Sequence, residues 1–330
     1  MPRALITGIA GFAGSHLADY LLTCGDLEVS GVSLPSDGAY NVAHILPRIG
    51  LYPLDLGDFD QVRELCARLQ PDYLFHLAAQ ASVERSWLDP AATLTNNITA
   101  QLNLLQAVVD LRLDCRVLVV GSADEYGAVR VEDLPIDEDT PLRPVNPYAV
   151  SKVAQDYLGL QYHLSHGLHI VRVRPFGHIG PRQGPGFAVS SFAKQIAQIE
   201  IGLQEPVLRV GNLSTQRDLT DVRDMVRGYY LALTKGKAGE VYNLGSSRAH
   251  AMSEILDRLL GMSRVPVRVE MDPGRLRPSD IPVLICDSRR FQADTGWEPE
   301  RDIADTLREV LNDWRERIRQ ESSPNAQGIL

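Results

Sequence analysis

A chain of 330 residues is longer than one compact core usually holds, and 44% apolar with 23% charged residues is the balance of a folded globular protein, not a disordered one. A net charge of −9 excludes a nucleic acid or an anionic membrane as the main partner, because either requires a concentrated positive field. Four widely spaced cysteines with no C-x-x-C pair predict neither a metal site nor a disulfide framework, which fits a reducing compartment.

The opening "MPRALITG" runs straight into an apolar strand over 4–7 without a signal-peptide layout, and no apolar run reaches the roughly 18 residues of a membrane span. A soluble cytoplasmic protein with no membrane partner is expected. Next comes Thr7-Gly8-Ile9-Ala10-Gly11-Phe12-Ala13-Gly14, then a helical pattern over 13–22 and a second strand over 28–32. Glycine at 8 permits the tight turn, Gly11 lets backbone approach a pyrophosphate, and Gly14 lets helix pack on strand. The helix N-terminus, opened by Phe12 and Ala13, offers the positive end of its dipole, so a dinucleotide site is predicted. An acidic residue after the second strand would bind the ribose of NAD, and an arginine would accommodate the phosphate of NADP. The chain has Ser33-Leu34-Pro35-Ser36-Asp37 and no Arg or Lys between Arg3 and Arg48. The missing arginine argues against strict NADP preference, yet Ser33 and Ser36 are able to hydrogen-bond a phosphate, so NADP and NAD both stay open.

Further apolar runs at 73–77, 116–120 and 169–174 each follow a helical pattern. Strands alternating with helices imply βαβ units and a doubly wound α/β fold with a parallel sheet buried on both faces. The Gly- and Pro-dense "RPFGHIGPRQGPGF" predicts an irregular crossing into a second lobe, and a strand over 240–244 returns to the sheet. The expected division is a dinucleotide-binding domain over 1–174, rejoined by about 213–245. A smaller discontinuous substrate lobe takes 175–212 and 246–320, and 321–330 form a loose tail.

Two further motifs carry chemistry. In "VNPYAVSKVAQDYL", Asn146 is a candidate N-cap, Pro147 takes the first helical position, and Tyr148 and Lys152 fall one turn apart on one face. An ammonium beside a phenol favours phenolate and lowers its pKa, which makes the tyrosine a candidate for proton exchange with an alcohol or carbonyl. In "VGSADEYG", Ser122 ends an apolar strand at the edge where open α/β sheets bind ligands.

T-G-x-x-G-x-x-G, Ser and Y-x-x-x-K in this order resemble the extended short-chain dehydrogenase/reductase family. So do Asp55 in "LDLGD", His76-Leu77-Ala78-Ala79 after a strand, Asn97 in "TNNITA" and Arg217-Asp218. The resemblance implies an NAD(P)-dependent oxidoreductase with Ser122, Tyr148 and Lys152 catalytic. Asp55 and Leu56 would flank the adenine, Leu77, Ala78 and Ala79 would line the cofactor, and Lys152 would also hold the nicotinamide ribose. A homodimer formed through two helices, one of them bearing Tyr148, is implied as well.

Segments such as "DYLFHLAAQASVERSW", "FGHIGPRQGPGF" and "RLRPSDIP" are similar to the family branch that reduces the C4 ketone of GDP-4-keto-6-deoxy-D-mannose to GDP-D-rhamnose. GDP-mannose 4,6-dehydratases are its near neighbours. A GDP-linked 4-keto-6-deoxy sugar is therefore the implied substrate, contacted by Gln80, Ser82, Asp124, Glu125 and His178. Arg217 and Arg277 would contact its nucleotide part, Arg182 in the loop between lobes and Asn212 would also bind substrate, and Gly177 stands where the family carries Asn. Dehydration needs an acid and a base beyond the tyrosine. Anchoring on Tyr126-Gly127 puts Ala123 where that family has the acid or a serine and Asp124, one methylene short, where it has the basic Glu. Ketone reduction needs neither, so the residues favour a reductase over a dehydratase or epimerase. A non-enzymatic cofactor-binding protein is the remaining alternative, against which the retained Tyr148 and Lys152 speak.

Overall fold

The computed structural model describes residues 1–276 and 281–322. Its strands in chain order are β1 (Arg3–Thr7), β2 (Glu28–Ser33), β3 (Gly50–Pro53), β4 (Tyr73–His76), β5 (Arg116–Val120), β6 (His169–Pro175), β7 (Gly177–Ile179), β8 (Val207–Val210), β9 (Gln216–Asp221), β10 (Val241–Leu244), β11 (Ala249–Ala251), β12 (Arg268–Met271) and β13 (Val283–Leu284). The helices are α1 (Phe12–Thr23), α2 (Phe59–Leu69), α3 (Val83–Leu88), α4 (Pro90–Asp110), α5 (Pro147–His166), α6 (Ala188–Glu200), α7 (Val222–Lys235), α8 (Met252–Leu260), α9 (Arg289–Thr295) and α10 (Ile303–Ser322).

Among the described residues, seven strands form one parallel sheet in the order β10-β6-β5-β4-β1-β2-β3. Its central strands read "RALIT", "YLFH" and "RVLVV", nearly continuous in apolar residues because helices cover both faces. On one face α1 and α7 bury Leu17, Leu21, Met225 and Tyr229 with Ile6 and Phe75. On the other, α2, α4 and α5 bury Val62, Leu104, Val108 and Tyr162 with Leu5 and Leu74. Each such aliphatic or aromatic side chain contributes about 1.5–3 kcal/mol. Strand order reverses between β1 and β4, which opens a crevice at their carboxyl ends.

In the second lobe, α6, α8 and α10 enclose Ile196, Leu208, Ile255, Leu311 and Trp314. β9 pairs with β7, β11 and β13, and β8 pairs with β12. Within 213–245, then, β9 belongs to the small sheet and β10 to the large one. The Gly- and Pro-dense crossing also holds a short strand where only irregular chain was expected, because Gly177–Ile179 pairs with Leu219–Asp221. A Cβ at Gly177 would lie 2.7 Å from the Asp218 carbonyl oxygen, so glycine is what lets the two strands close. The last helix runs through Ser322, two residues into the span expected to be loose, and 323–330 lie outside the described residues. No helix among the described residues is long and apolar enough to cross a membrane.

Arg182 joins the lobes. Its backbone N–H donates to Asp313 Oδ2 at 2.9 Å, and its guanidinium donates to Asp19 Oδ2 at 2.5 Å and to the Asn41 carbonyl at 3.3 Å. Next to it, His16 Nε2 donates to the Pro181 carbonyl at 2.9 Å. Burial, and then the Arg182 charge, pull the His16 pKa from the usual 6.5 down to about 4. The folded chain therefore holds His16 neutral where the unfolded chain would protonate it. Stability is complete above pH 6.5 and falls with pH toward about 4, on the order of 3 kcal/mol for this group. Thermal melts across that range are expected to show a visibly flatter acid limb for His16→Gln, which keeps a donor for Pro181 but does not titrate.

Candidate active site

The first βα turn is shaped by close backbone contact. Gly8 has φ +71°, and a Cβ there would lie 3.0 Å from Ala78 Cα. A Cβ on Gly14 would lie 2.1 Å from the Gly8 carbonyl oxygen. The N–H groups of Gly8 and Ile9 both donate to the Val32 carbonyl, at 2.8 and 3.1 Å, which ties the turn to β2. Gly11 supplies no side-chain cap to α1 and the first turn contains no acid. The first-turn N–H groups, with Phe12 and Ala13 among them, are thus left for an outside anion at the positive end of the helix dipole. This cradle fits a dinucleotide pyrophosphate, and side chains at 8 or 14 would break it by colliding with the Ala78 and Gly8 backbone.

Around it lie the other expected cofactor residues. Ser33 is buried at the end of β2. Asp55 is exposed and caps the Gly57 N–H at 2.8 Å, while buried Leu56 has its carbonyl held by Asn103 Nδ2 at 2.8 Å. The N–H groups of Leu77 and Ala78 both donate to Thr7 Oγ1 at 3.2 Å, which draws the 77–79 loop over the glycine turn.

Beneath that loop runs a buried polar chain that sequence reasoning did not assemble. His76 Nδ1 meets Thr7 Oγ1 at 2.9 Å, and Gln155 Nε2 reaches both His76 Nε2 at 3.2 Å and the Asn97 carbonyl at 2.9 Å. Asn97 Oδ1 accepts from the Gln80 N–H at 2.8 Å, and its Nδ2 donates to Ser151 Oγ at 2.9 Å. Burial, then the charge of Lys152, depress the His76 pKa to about 3, so the ring is neutral. The available signal was that Ser151 and Gln155 share the inward side of α5 with Tyr148 and Lys152.

Asn146 caps α5 by accepting the Ala149 N–H at 2.8 Å, and α5 carries Tyr148 and Lys152 inward to the end of β5. The Ser122 side chain lies beside the Tyr148 phenol. Lys152 is 5% exposed, sits 5.9 Å from the Tyr148 ring centroid and donates to the Val120 carbonyl at 2.9 Å. Burial lowers its pKa to about 8, against the opposing pull of Glu125. The phenol differs from the expectation of an acidified tyrosine. Burial first, and the nearby Asp124 carboxylate second, push its pKa up. The lysine proton is directed at a backbone carbonyl and not at the phenol oxygen, and a dry site penalises phenolate.

The expected substrate residues are distributed unevenly. Asp124 is half-buried beside Tyr148. His178 on β7 stacks on Phe12, with ring centroids 5.7 Å apart, so one wall joins the cradle to the second lobe. Asn212 Oδ1 accepts from the Ser214 N–H and hydroxyl at 2.9 and 2.8 Å, and Arg217 on β9 donates to the Gln216 carbonyl at 2.9 Å. The remaining expected residues make these contacts within the protein. Gln80 folds its amide back onto Ser82 and Thr93, and Ser82 Oγ caps α3 through the Arg85 N–H. The guanidinium of Arg182 is committed to Asp19 and Asn41 at the lobe junction. Glu125 is fully buried against Arg174, with no face toward a ligand. Arg277 lies outside the described residues.

A family model described as GDP-mannose 4,6 dehydratase matches residues 5–310. GDP-6-deoxy-D-mannose reductase of Pseudomonas aeruginosa is 37% identical over 319 residues, which cover 97% of this chain and 99% of the relative. The structure of RMD from Pseudomonas aeruginosa complexed with NADPH superposes with a TM-score of 0.83 at 34% identity, covering 96% of this chain and 100% of that one. UDP-glucose 4-epimerase of Thermotoga maritima, solved with UDP-glucose, gives a TM-score of 0.85 at 27% identity, covering 96% and 99%. The matched span runs from the first strand of the large sheet into the last helix of the small lobe, and the chain belongs to the GDP-mannose 4,6-dehydratase family of extended short-chain dehydrogenases/reductases.

Proposed function

We propose that this chain reduces the C4 ketone of GDP-4-keto-6-deoxy-D-mannose to GDP-D-rhamnose with NADPH or NADH, in the cytoplasm, where free nicotinamide coenzyme and sugar nucleotides are at hand. The observation that carries the reading is a neutral, buried Tyr148 phenol beside Ser122 at the sheet edge that bears the glycine cradle, with the proton-poor Ala123 next in line. Reduction of a ketone calls for a proton donor, and a phenol whose pKa is pushed up is fully protonated at neutral pH. The likeness to a GDP-6-deoxy-D-mannose reductase supports the same reaction.

The coenzyme, when bound, supplies the hydride. The first turn of α1 binds its pyrophosphate, and Ser33, Asp55, Leu56 and the 77–79 loop hold its adenosine and nicotinamide ends. Ser122 Oγ orients the ketone oxygen, and Tyr148 delivers a proton to that oxygen as negative charge grows on it. Lys152 places a cation over the ring from which the proton leaves. The lobe formed by 175–212 and 246–320 receives the sugar nucleotide, with His178, Asn212 and Arg217 binding it and Asp124 meeting the sugar hydroxyls. Binding energy from the GDP part holds the carbonyl carbon in place.

Val150, Tyr157 and Leu164 are exposed on α5 at two-turn intervals, and Leu102 is exposed on adjacent α4. An apolar stripe of this kind on two packed helices suits a two-fold contact, so the chain forms a homodimer through α4 and α5.

Keto sugar and NADPH should give stoichiometric loss of NADPH absorbance, whereas GDP-mannose alone should give no 4-keto product; the reverse pattern would identify a dehydratase. Tyr148→Phe should lower kcat by about 10²–10⁴-fold with KM little changed. Light scattering should give twice the chain mass for the native protein and the single-chain mass for Val150→Asp/Tyr157→Asp.

A further inference from the structure

Helix α5 carries Tyr148, Lys152 and Asp156 at successive four-residue steps, so the three share one face. Asp156 lies one turn deeper than Lys152 and is 1% exposed. One of its oxygens takes Arg172 Nη1 at 2.6 Å, and the other takes Arg174 Nε and Nη2 at 2.8 and 2.5 Å. Arg174 Nε is also 3.3 Å from Glu125 Oε2. The second Glu125 oxygen accepts the Ser122 backbone N–H at 2.7 Å. Since the Ser122 side chain lies beside the Tyr148 phenol, the path returns to where it began: down α5 to Asp156, across to Arg174 on β6, on to Glu125, up to Ser122 and back to the tyrosine. Gly121 makes room for it, because a Cβ there would lie 2.2 Å from Glu125 Oε1.

We propose that Glu125 is a positioning residue: through the Ser122 amide on one side and Arg174 with Asp156 on the other, it fixes Ser122 against Tyr148 and thereby sets kcat without touching the sugar. The inference rests on the reductase reading above. A residue needed only to fill space would be met by leucine, with neither a glycine at 121 nor a buried carboxyl, which is costly to keep from water. Glu125 Oε2 has no hydrogen-bond donor and stands against the Asp156 carboxylate. Burial, then the Asp156 carboxylate, push the Glu125 pKa up to about 8, so the Glu125 carboxyl is mostly protonated at neutral pH. Glutamine reproduces that neutral form, with an amide oxygen for Ser122 and an amide N–H toward Asp156.

The test compares the native protein, Glu125→Gln, Glu125→Leu and Gly121→Ala in keto-sugar reduction and in amide hydrogen exchange of the peptide containing Ser122. Glu125→Leu should lower kcat about 10²-fold with both KM values within about twofold, and should accelerate exchange at Ser122. Gly121→Ala, which displaces the carboxyl, should do the same, while Glu125→Gln keeps kcat within about threefold and native exchange. Native kcat in Glu125→Leu, equal losses in Glu125→Gln and Glu125→Leu, or a loss carried by KM would each overturn the assignment. A native protein inactive on the keto sugar would count against the reductase reading alone. Exchange at Ser122 would then decide the role of Glu125, with unchanged protection in Glu125→Leu and Gly121→Ala refuting it.

Discussion

The Arg174 guanidinium, 4% exposed, is the interaction on which the geometry of the site depends. Taking an ion from water costs several kcal/mol, and the cost is offset only where its hydrogen-bonding groups all find partners. Arg174 has Asp156 and Glu125 on one side, and on the other its Nη1 donates to Tyr126 Oη at 3.0 Å and the Glu138 carbonyl at 3.3 Å. Tyr126 Oη donates in turn to Asn243 Oδ1 at 2.7 Å, which brings in β10. One side chain thus fastens the tyrosine helix, the serine turn and the edge of the sheet. Losing Asp156 would leave a dry charge uncompensated, so one buried ion pair ties the three elements together.

Dryness also governs protonation. His76 and Tyr148 are held in their neutral forms, and the Lys152 ammonium is made easier to discharge. Such a site suits a reaction in which the enzyme starts neutral and gives up one proton to an oxygen as charge appears there. The phenolate left behind has the lysine over its ring, and no second acid–base pair has to be kept charged in advance.

Parts of this were legible in the sequence because they follow local rules. The three glycines report backbone approach, and Asn-Pro before Tyr148 reports a helix start, so the cradle and the inward face of α5 followed from neighbours in the chain. Contacts made across the fold were not legible. Whether Glu125 faces ligand or core is decided by Arg174, two elements later, although the alternation of Arg172 and Arg174 within "HIVRVRP" marks a charged face on a strand that must be buried. Four-residue spacing brings Lys152 near Tyr148 but says nothing of the Val120 carbonyl that takes its proton. Gln80 and Ser82 were expected at the substrate from the resemblance alone, and the hydrogen bonds they make within their own loop are not legible in local sequence.

Gly177 illustrates a further property of such packing. With no side chain there, β7 and β9 pair closely, and any Cβ at 177 would lie only 2.7 Å from the Asp218 peptide oxygen. Asparagine at 177 would have to push a strand aside before its amide could reach a ligand, so closeness of the two strands and a polar contact from this point exclude each other.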